Sequence, residues 1–301
     1  MDEYVFRPVR RAGTIFQAAC LAIFIFAGVA GFWLAFQVAI GPAFLLSLLP
    51  VLTAFVSVPV LAYRFYALQQ ATYTLEREGI RLRWGLRIEE IPIANVLWVN
   101  LAAELSTQPP PPRLRWPGGV LGHRHLSGIG EVEFLASSTK DLVVIATPGK
   151  YYAISPETPE TFVLAYQRCI EMGSLFPVPA RSVYPTFILS RVWGSRLART
   201  LLLSGALLSL ILLIWVSLVI PGRSQVIFGF RPDEQGGDLA PAARLLLLPI
   251  LNTVFFLSDL FLGLFFFRRE ESEPIAYLLW GAGVLTPLLF MMAVGFMLQA
   301  S

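Results

Sequence analysis

The densest set of chemically able side chains lies in the thirteen residues from Arg113 to His125. It holds three arginines (Arg113, Arg115 and Arg124), both histidines of the chain (His123 and His125) and Trp116. Arginine offers a planar fork of donors that matches a phosphate, and tryptophan rests at membrane interfaces, so this set could engage lipid headgroups. The favoured reading is a solvated loop in non-specific contact with an anionic leaflet, ahead of specific headgroup recognition. On a strand, His-x-His turns both rings to one side. Zinc needs three or four ligands, and the further candidates nearby are Glu131 and Glu133. With no His-Glu-x-x-His pattern and no close cysteine pair, the expectation is that no metal is bound. A second kind of chemistry attaches to Asp259, an acid deep in an apolar run with Asn252 two turns away on the same helical face. Intramembrane acids either relay protons and ions or hold helices together by hydrogen bonds. A transport path needs several such groups, and apart from Arg64 near the end of the second apolar run no other acid or base interrupts the runs, so the structural role is favoured.

The inventory for catalysis is thin. Gly-x-Ser-x-Gly is absent, as is a phosphate-binding glycine loop ending in Lys-Ser/Thr. Gly128-Ile-Gly130 runs toward a strand, which is the wrong context for a dinucleotide turn. The expectation is a non-enzyme without a cofactor. Cys20 and Cys169 make neither a disulfide framework nor a metal site. No stretch interleaves basic and aromatic residues as a nucleic-acid surface does, and a net charge of +3 is far from a basic excess.

The elements that must position these residues follow from composition. Of 301 residues 56% are apolar and 14% charged, against about 25% charged in a soluble domain. The mean hydropathy is +0.66. About 20 apolar residues cross the hydrocarbon of a bilayer, and five runs qualify: 14–40, 44–67, 201–220, 245–267 and 274–298. The first is too long for the core of a signal peptide and leads at once into another, so it reads as an uncleaved helix. Arg7, Arg10 and Arg11 precede it, Arg191, Arg196 and Arg199 crowd the third run, and Arg268 and Arg269 close the fourth. The positive-inside rule puts all of these in the cytoplasm. Arg223, Arg231 and Arg244 in the opposite loop are a minority. The expected topology is a multi-pass inner-membrane protein with the N-terminus inside and the C-terminus outside.

Between the second and third runs the punctuation is that of β structure. Seven strands are expected, at 72–77, 80–84, 88–91, 95–101, 131–137, 142–147 and 150–154. Ser155-Pro-Glu-Thr-Pro-Glu160 then has the caps and acids of a helix start, and Phe162, Val163, Tyr166 and Ile170 follow at helical spacing. From 72 to 175 there are ten Lys+Arg against eleven Asp+Glu, so the segment as a whole is not basic.

The stretch Tyr73-Thr-Leu-Glu-Arg-Glu-Gly79-Ile-Arg-Leu-Arg-Trp-Gly85, the step Ile88-Glu-Glu-Ile-Pro92 and Val96 resemble the opening of a bacterial pleckstrin-homology-like (bacterial PH) domain. Leu142 to Thr147, Tyr151 to Pro156 and Phe162 are similar to its closing strands and C-terminal helix. The resemblance covers roughly 70–175. It implies a seven-stranded, β-barrel-like fold capped by a helix, commonly fused to membrane helices, with no catalysis and with relatives that self-assemble. Gln108 to Gly130, with four consecutive prolines, departs from a minimal domain. The expected fold is therefore five transmembrane helices with an inserted domain: a tail and helical hairpin at 1–69, a cytoplasmic PH-like domain at 70–175, a linker at 176–200 and three helices in 201–301.

The expected function is a non-catalytic scaffold whose partners are the bilayer and other proteins or further copies of itself, with no nucleic acid. The alternatives are an accessory subunit of a larger complex and an ion relay through Asp259. The arginine bias predicts that a cysteine at Ser301 reacts with an impermeant thiol reagent on intact cells; reaction only after the inner face is opened would reverse the topology.

Overall fold

The computed structural model describes residues 4–105, 108–113, 115–126, 130–172, 181–183, 187–228 and 238–300. In chain order the elements are β1 (Tyr4–Phe6), α1 (Arg11–Gln37), α2 (Pro42–Gln69), β2 (Thr72–Glu76), β3 (Gly79–Trp84), β4 (Arg87–Pro92), β5 (Trp98–Leu101), β6 (Val120–Leu126), β7 (Gly130–Ala136), β8 (Val143–Ala146) and β9 (Tyr151–Ile154). There follow α3 (Pro159–Met172), β10 (Arg181–Val183), α4 (Phe187–Gly194), α5 (Arg196–Val219), β11 (Gln225–Phe228), β12 (Asp238–Pro241), α6 (Leu247–Phe266) and α7 (Glu273–Ala300). Among the described residues five helical segments are long and apolar enough to cross a bilayer: Arg11–Gln37, Pro42–Gln69, Arg196–Gly222, Ala242–Phe266 and Glu273–Gln299. The chain divides into two compact units, Met1–Phe26 with Thr53–Pro185, and Ala27–Leu52 with Thr186–Ser301.

In the first unit, β1-β2-β3-β4-β10 form one antiparallel sheet. The second sheet runs β5-β8-β9-β7-β6, antiparallel except for the parallel pair β7–β9. The alternation of β3 buries Ile80, Leu82 and Trp84 while Arg81 and Arg83 face out. These side chains meet Val143, Ile145 and Ile154 of the second sheet in one core. Helix α3 closes it with Phe162, Ala165, Tyr166 and Cys169, spaced i, i+3, i+4 and i+7 on a single face. Pro159 opens that helix and Glu160 lies in its first turn, where an acid suits the dipole. Phe162 is fully buried edge-to-face on Phe6, with ring centroids 5.0 Å apart.

The expected barrel-like closure is not there. Among the described residues no strand pairing joins the two sheets, whose edges are β1 and β10 in one and β5 and β6 in the other. Period-2 alternation buries one face of a strand in a barrel and in a sandwich alike, which is why the pattern did not separate them. Two further expectations change. The segment up to His125 is not a loop throughout, because 120–126 is a strand paired with 130–136. Its glycine and three charged or imidazole side chains hid the alternation of a β-strand. The short edge strands β1 and β10 were also unread, since three residues carry no period.

In the second unit α5, α6 and α7 pack through small residues. A Cβ added at Gly205 of α5 would lie 3.0 Å from the Gly283 carbonyl oxygen of α7 and 2.9 Å from the Phe256 ring of α6. Pro287 lacks the N–H that would otherwise take up that Gly283 carbonyl, leaving it to face the neighbouring backbone. The indole of Trp280, 2% exposed, lies directly against the Cα of Gly263. Between apolar helices such close approach supplies the dispersion contact that holds them together. Gly263→Ala forces Trp280 out of place. It is expected to destabilise the bundle by about 1–3 kcal/mol, read as a lower melting midpoint of the detergent-solubilised protein.

Candidate functional site

Charged and ring-bearing side chains from both sheets converge at one seam of the sandwich. Glu89 of β4 and Glu133 of β7 are almost fully buried. Arg87 donates from Nη2 to Glu89 Oε1 at 2.8 Å and to Glu133 Oε1, so one guanidinium ties the first sheet to the second. Lys150, just before β9, donates to Glu133 Oε2 at 2.9 Å, and its ammonium sits 4.7 Å from the centre of the Tyr152 ring. Ser182 of β10 donates to Glu89 Oε1 at 2.7 Å, and Tyr152 donates to Glu89 Oε2 at 3.4 Å. His123 of β6 spans two glutamates, Nδ1 at 3.2 Å from Glu131 Oε1 and Nε2 at 3.3 Å from Glu133 Oε1.

Burial alone would push the Glu133 carboxyl up, but hydrogen bonds from Lys150 and Arg87 and their charges hold it below the usual carboxylate range. Burial alone would lower Lys150, yet its hydrogen bonds to Tyr152 and Glu133 raise it above an ordinary lysine. Burial drives the Tyr152 hydroxyl up to about 12. The buried Glu89 and Glu133 carboxylates answer the Arg87 and Lys150 cations, so this core of the seam is charge-balanced and binds the two sheets together. Nearby, the fully buried Tyr73 of β2 donates to the Leu135 carbonyl of β7 at 2.7 Å and adds a neutral bridge between the same sheets.

The sandwich is also seated on the ends of α1 and α2 by two turns. Gly118, at φ +77°, brings its Cα against the backbone of Gly13 on α1, and a Cβ there would also lie 2.9 Å from Leu68 of α2. Gly85, at φ +62°, meets Ala67 of α2 so closely that a Cβ would lie 2.8 Å from the alanine methyl. Polar contacts surround these two points. Gln17 donates to the Pro117 carbonyl at 3.3 Å, Gln69 donates to Thr14 Oγ1 at 3.0 Å, and Arg10 donates to the Ala71 carbonyl.

A cleft of about 720 Å³ opens between the loop 139–142, the start of α3 and the proline segment 108–111. Asp141, Glu157 and Glu160 outnumber Lys140 on its walls. Its rim includes Asp141 at φ +52°, the one described non-glycine residue in the left-handed region. With two sheets, a capping helix and Gly85 turning β3 into β4, the segment can be matched against known families. Residues 71–170 match the family model of the bacterial PH domain. No curated protein and no solved structure matches the chain.

Within the bacterial PH domain the residues singled out from sequence scatter. Arg113, Arg115, His123 and His125 are exposed. His123 and His125 share one face of β6, the face of Glu133 and Glu131 opposite them on β7. Arg124 points to the other face, half-buried, with a buried Nε that has no partner among the described residues. Trp116 is 40% exposed at the turn that seats on α1, away from that strand. The six therefore form no single face. Among the described residues no three His, Cys, Asp or Glu side chains are arranged to hold a metal. In the helical unit Asn252 is 1% exposed, and neither amide atom has a partner among the described residues. Asp259 lies beside Gly283, where an added Cβ would be 3.7 Å from Oδ2, and no described hydrogen bond or ion pair reaches it.

Sequence reasoning named Glu131 and Glu133 only as stray metal candidates and missed Arg87, Glu89, Lys150 and Tyr152 altogether. A charged residue at an inward strand position was the available signal: Glu133 stands between Val132 and Phe134 in a strand whose later residues are all buried. Glu133→Ala leaves Arg87 and Lys150 without their shared carboxylate and is expected to cost the domain about 3–5 kcal/mol. Because folding lowers the Glu133 pKa, its contribution is present above the unfolded value and is lost as pH falls through the folded one. Lys150, raised by folding, contributes below the unfolded lysine value of about 10.4 and fails as pH rises through its folded pKa. Thermal unfolding from pH 2 to pH 12 should therefore show a plateau with both flanks, and the acid flank of Glu133→Ala should flatten.

Proposed function

We propose that the chain is a non-catalytic multi-pass protein of the bacterial inner membrane. Its bacterial PH domain is held against the cytoplasmic face as a docking platform for other proteins or for further copies of itself. The observation that carries this reading is the two-point seating of the domain, Gly118 on α1 and Gly85 on α2. A domain on a flexible tether samples many poses, whereas one seated on two helices offers its surface in one orientation to anything moving in the same membrane. Apolar side chains turned outward on α1, among them Phe26 and Phe36 at 76% exposure each, support a hydrocarbon environment for those helices.

The acidic cleft beside α3 suits an extended basic segment of a partner, which would complement Asp141, Glu157 and Glu160. The exposed apolar residues Leu164 and Ile170 of α3 extend that surface. The charge-balanced seam supports a non-catalytic reading, since each of its strong groups already serves another.

The test is a photo-reactive amino acid placed at Thr161, on the cleft wall, in the full chain in its native membrane. Irradiation is expected to give a discrete protein adduct, either a doubled chain or a heteromer. A Glu157→Lys, Glu160→Lys variant should lose it. Irradiation that yields no protein adduct, or one indifferent to those charge reversals, rejects the docking platform.

A further inference from the structure

The seating of the domain creates a second feature, at the level where α2 leaves its apolar span. Arg64 lies five residues before the end of α2 and is exposed. Its guanidinium carbon stands 5.2 Å from the centre of the Trp116 ring, which packs edge-to-face on Phe16 of α1 at 6.0 Å. Tyr63 and Tyr66, 40% and 43% exposed, flank it on the same helix. Tyrosine, tryptophan and arginine at a helix end are the composition of a membrane–water boundary. Among the described residues no carboxylate pairs with Arg64 or with the exposed Arg115 next to Trp116. A guanidinium stacked on an indole keeps its in-plane N–H donors open, and its cation, at the margin of hydrocarbon, needs an anion.

We propose that Arg64 and Trp116, with Arg115 beside them, form a binding notch for the phosphate of an anionic phospholipid. The indole holds the guanidinium level and lies along the upper acyl chain and glycerol, while the open fork takes the phosphate in a bidentate contact. Because Trp116 belongs to the domain and Arg64 to the helix, a bound lipid bridges the two beside Gly118 and reinforces the seating.

The inference rests on the reading that these helices lie in a bilayer with the domain at its face, but not on protein docking. Loss of the Thr161 cross-link with lipid selectivity intact would reject the docking platform and leave this site standing. The experiment is native mass spectrometry of the full chain in neutral detergent, titrated with phosphatidylglycerol or phosphatidylcholine, with inorganic phosphate as competitor.

The wild type is expected to retain phosphatidylglycerol in preference to phosphatidylcholine, and excess inorganic phosphate should not displace it. Arg64→Gln should lower that retention about fivefold, the loss of one interfacial charge contact, with elution volume and melting midpoint unchanged. Trp116→Leu should lower it as well, while Arg113→Gln should not. If Arg64→Gln fails to fold, Arg64→Lys decides, because it keeps the charge and loses the fork. Wild-type retention in Arg64→Lys, equal retention in Arg64→Gln, an equal loss in Arg113→Gln, or displacement by inorganic phosphate would each overturn the site.

Discussion

The backbone of Gly118 lies against that of Gly13 with no room for a side chain on either, and the placement of the β domain depends on that approach. It carries the turn Trp116–Gly119 onto α1, which sets Trp116 beside Phe16 and under Arg64. It also brings Gln17 within reach of the Pro117 carbonyl. Gly85 on Ala67 prevents rotation about this first contact. Two small-residue approaches thus fix the domain to the helix ends, where Ala67 and Leu68 of α2 join the core of the sandwich. Left-handed backbone at Gly118 and Gly85 adds a second demand for glycine, because an L side chain there is strained even in open space.

Within the domain the unusual device is ionic closure. Among the described residues the two five-stranded sheets share a core but no strand ladder, and the seam is bridged by Arg87, Glu133, Lys150 and Glu89. A buried ion pair is seldom more stabilising than a well-packed apolar pair, since desolvation offsets most of the attraction. What the pairing adds is direction. Arg87 must face Glu133, and that requirement fixes the offset of one sheet against the other in a way that aliphatic contacts do not.

The helical unit follows a different logic. Its long helices turn apolar side chains outward over most of their length, and they meet one another through Gly205, Gly263 and Gly283. The indole nitrogen of Trp280 and the amide of Asn252 are buried without described partners, so the interior of α5–α7 keeps polar valence in reserve. The only described acid on α6, Asp259, sits beside Gly283 on the Asn252 face. Together they mark the part of the bundle whose chemistry is least saturated.

Composition and periodicity alone determined the five long apolar helices and the β-rich insertion with its closing helix, and the residues around Tyr73, Gly85 and Pro92 carried the likeness to a bacterial PH domain. Those features are local: a helix declares itself through twenty apolar residues, and a strand through two-residue alternation. Tertiary structure alone decided the open sandwich in place of a barrel, the strand that contains His123 and His125, and the pairing of Glu133 with Arg87 across 46 positions of sequence. The physical reason is the same in each case. Alternation records which face of a strand is buried but not what covers it, and the charge of a glutamate gives no sign of which cation will neutralise it. The meeting of Gly13 with Gly118, more than a hundred residues apart, likewise depends on how distant parts of one compact unit come together, and a glycine in sequence says only that such an approach is permitted.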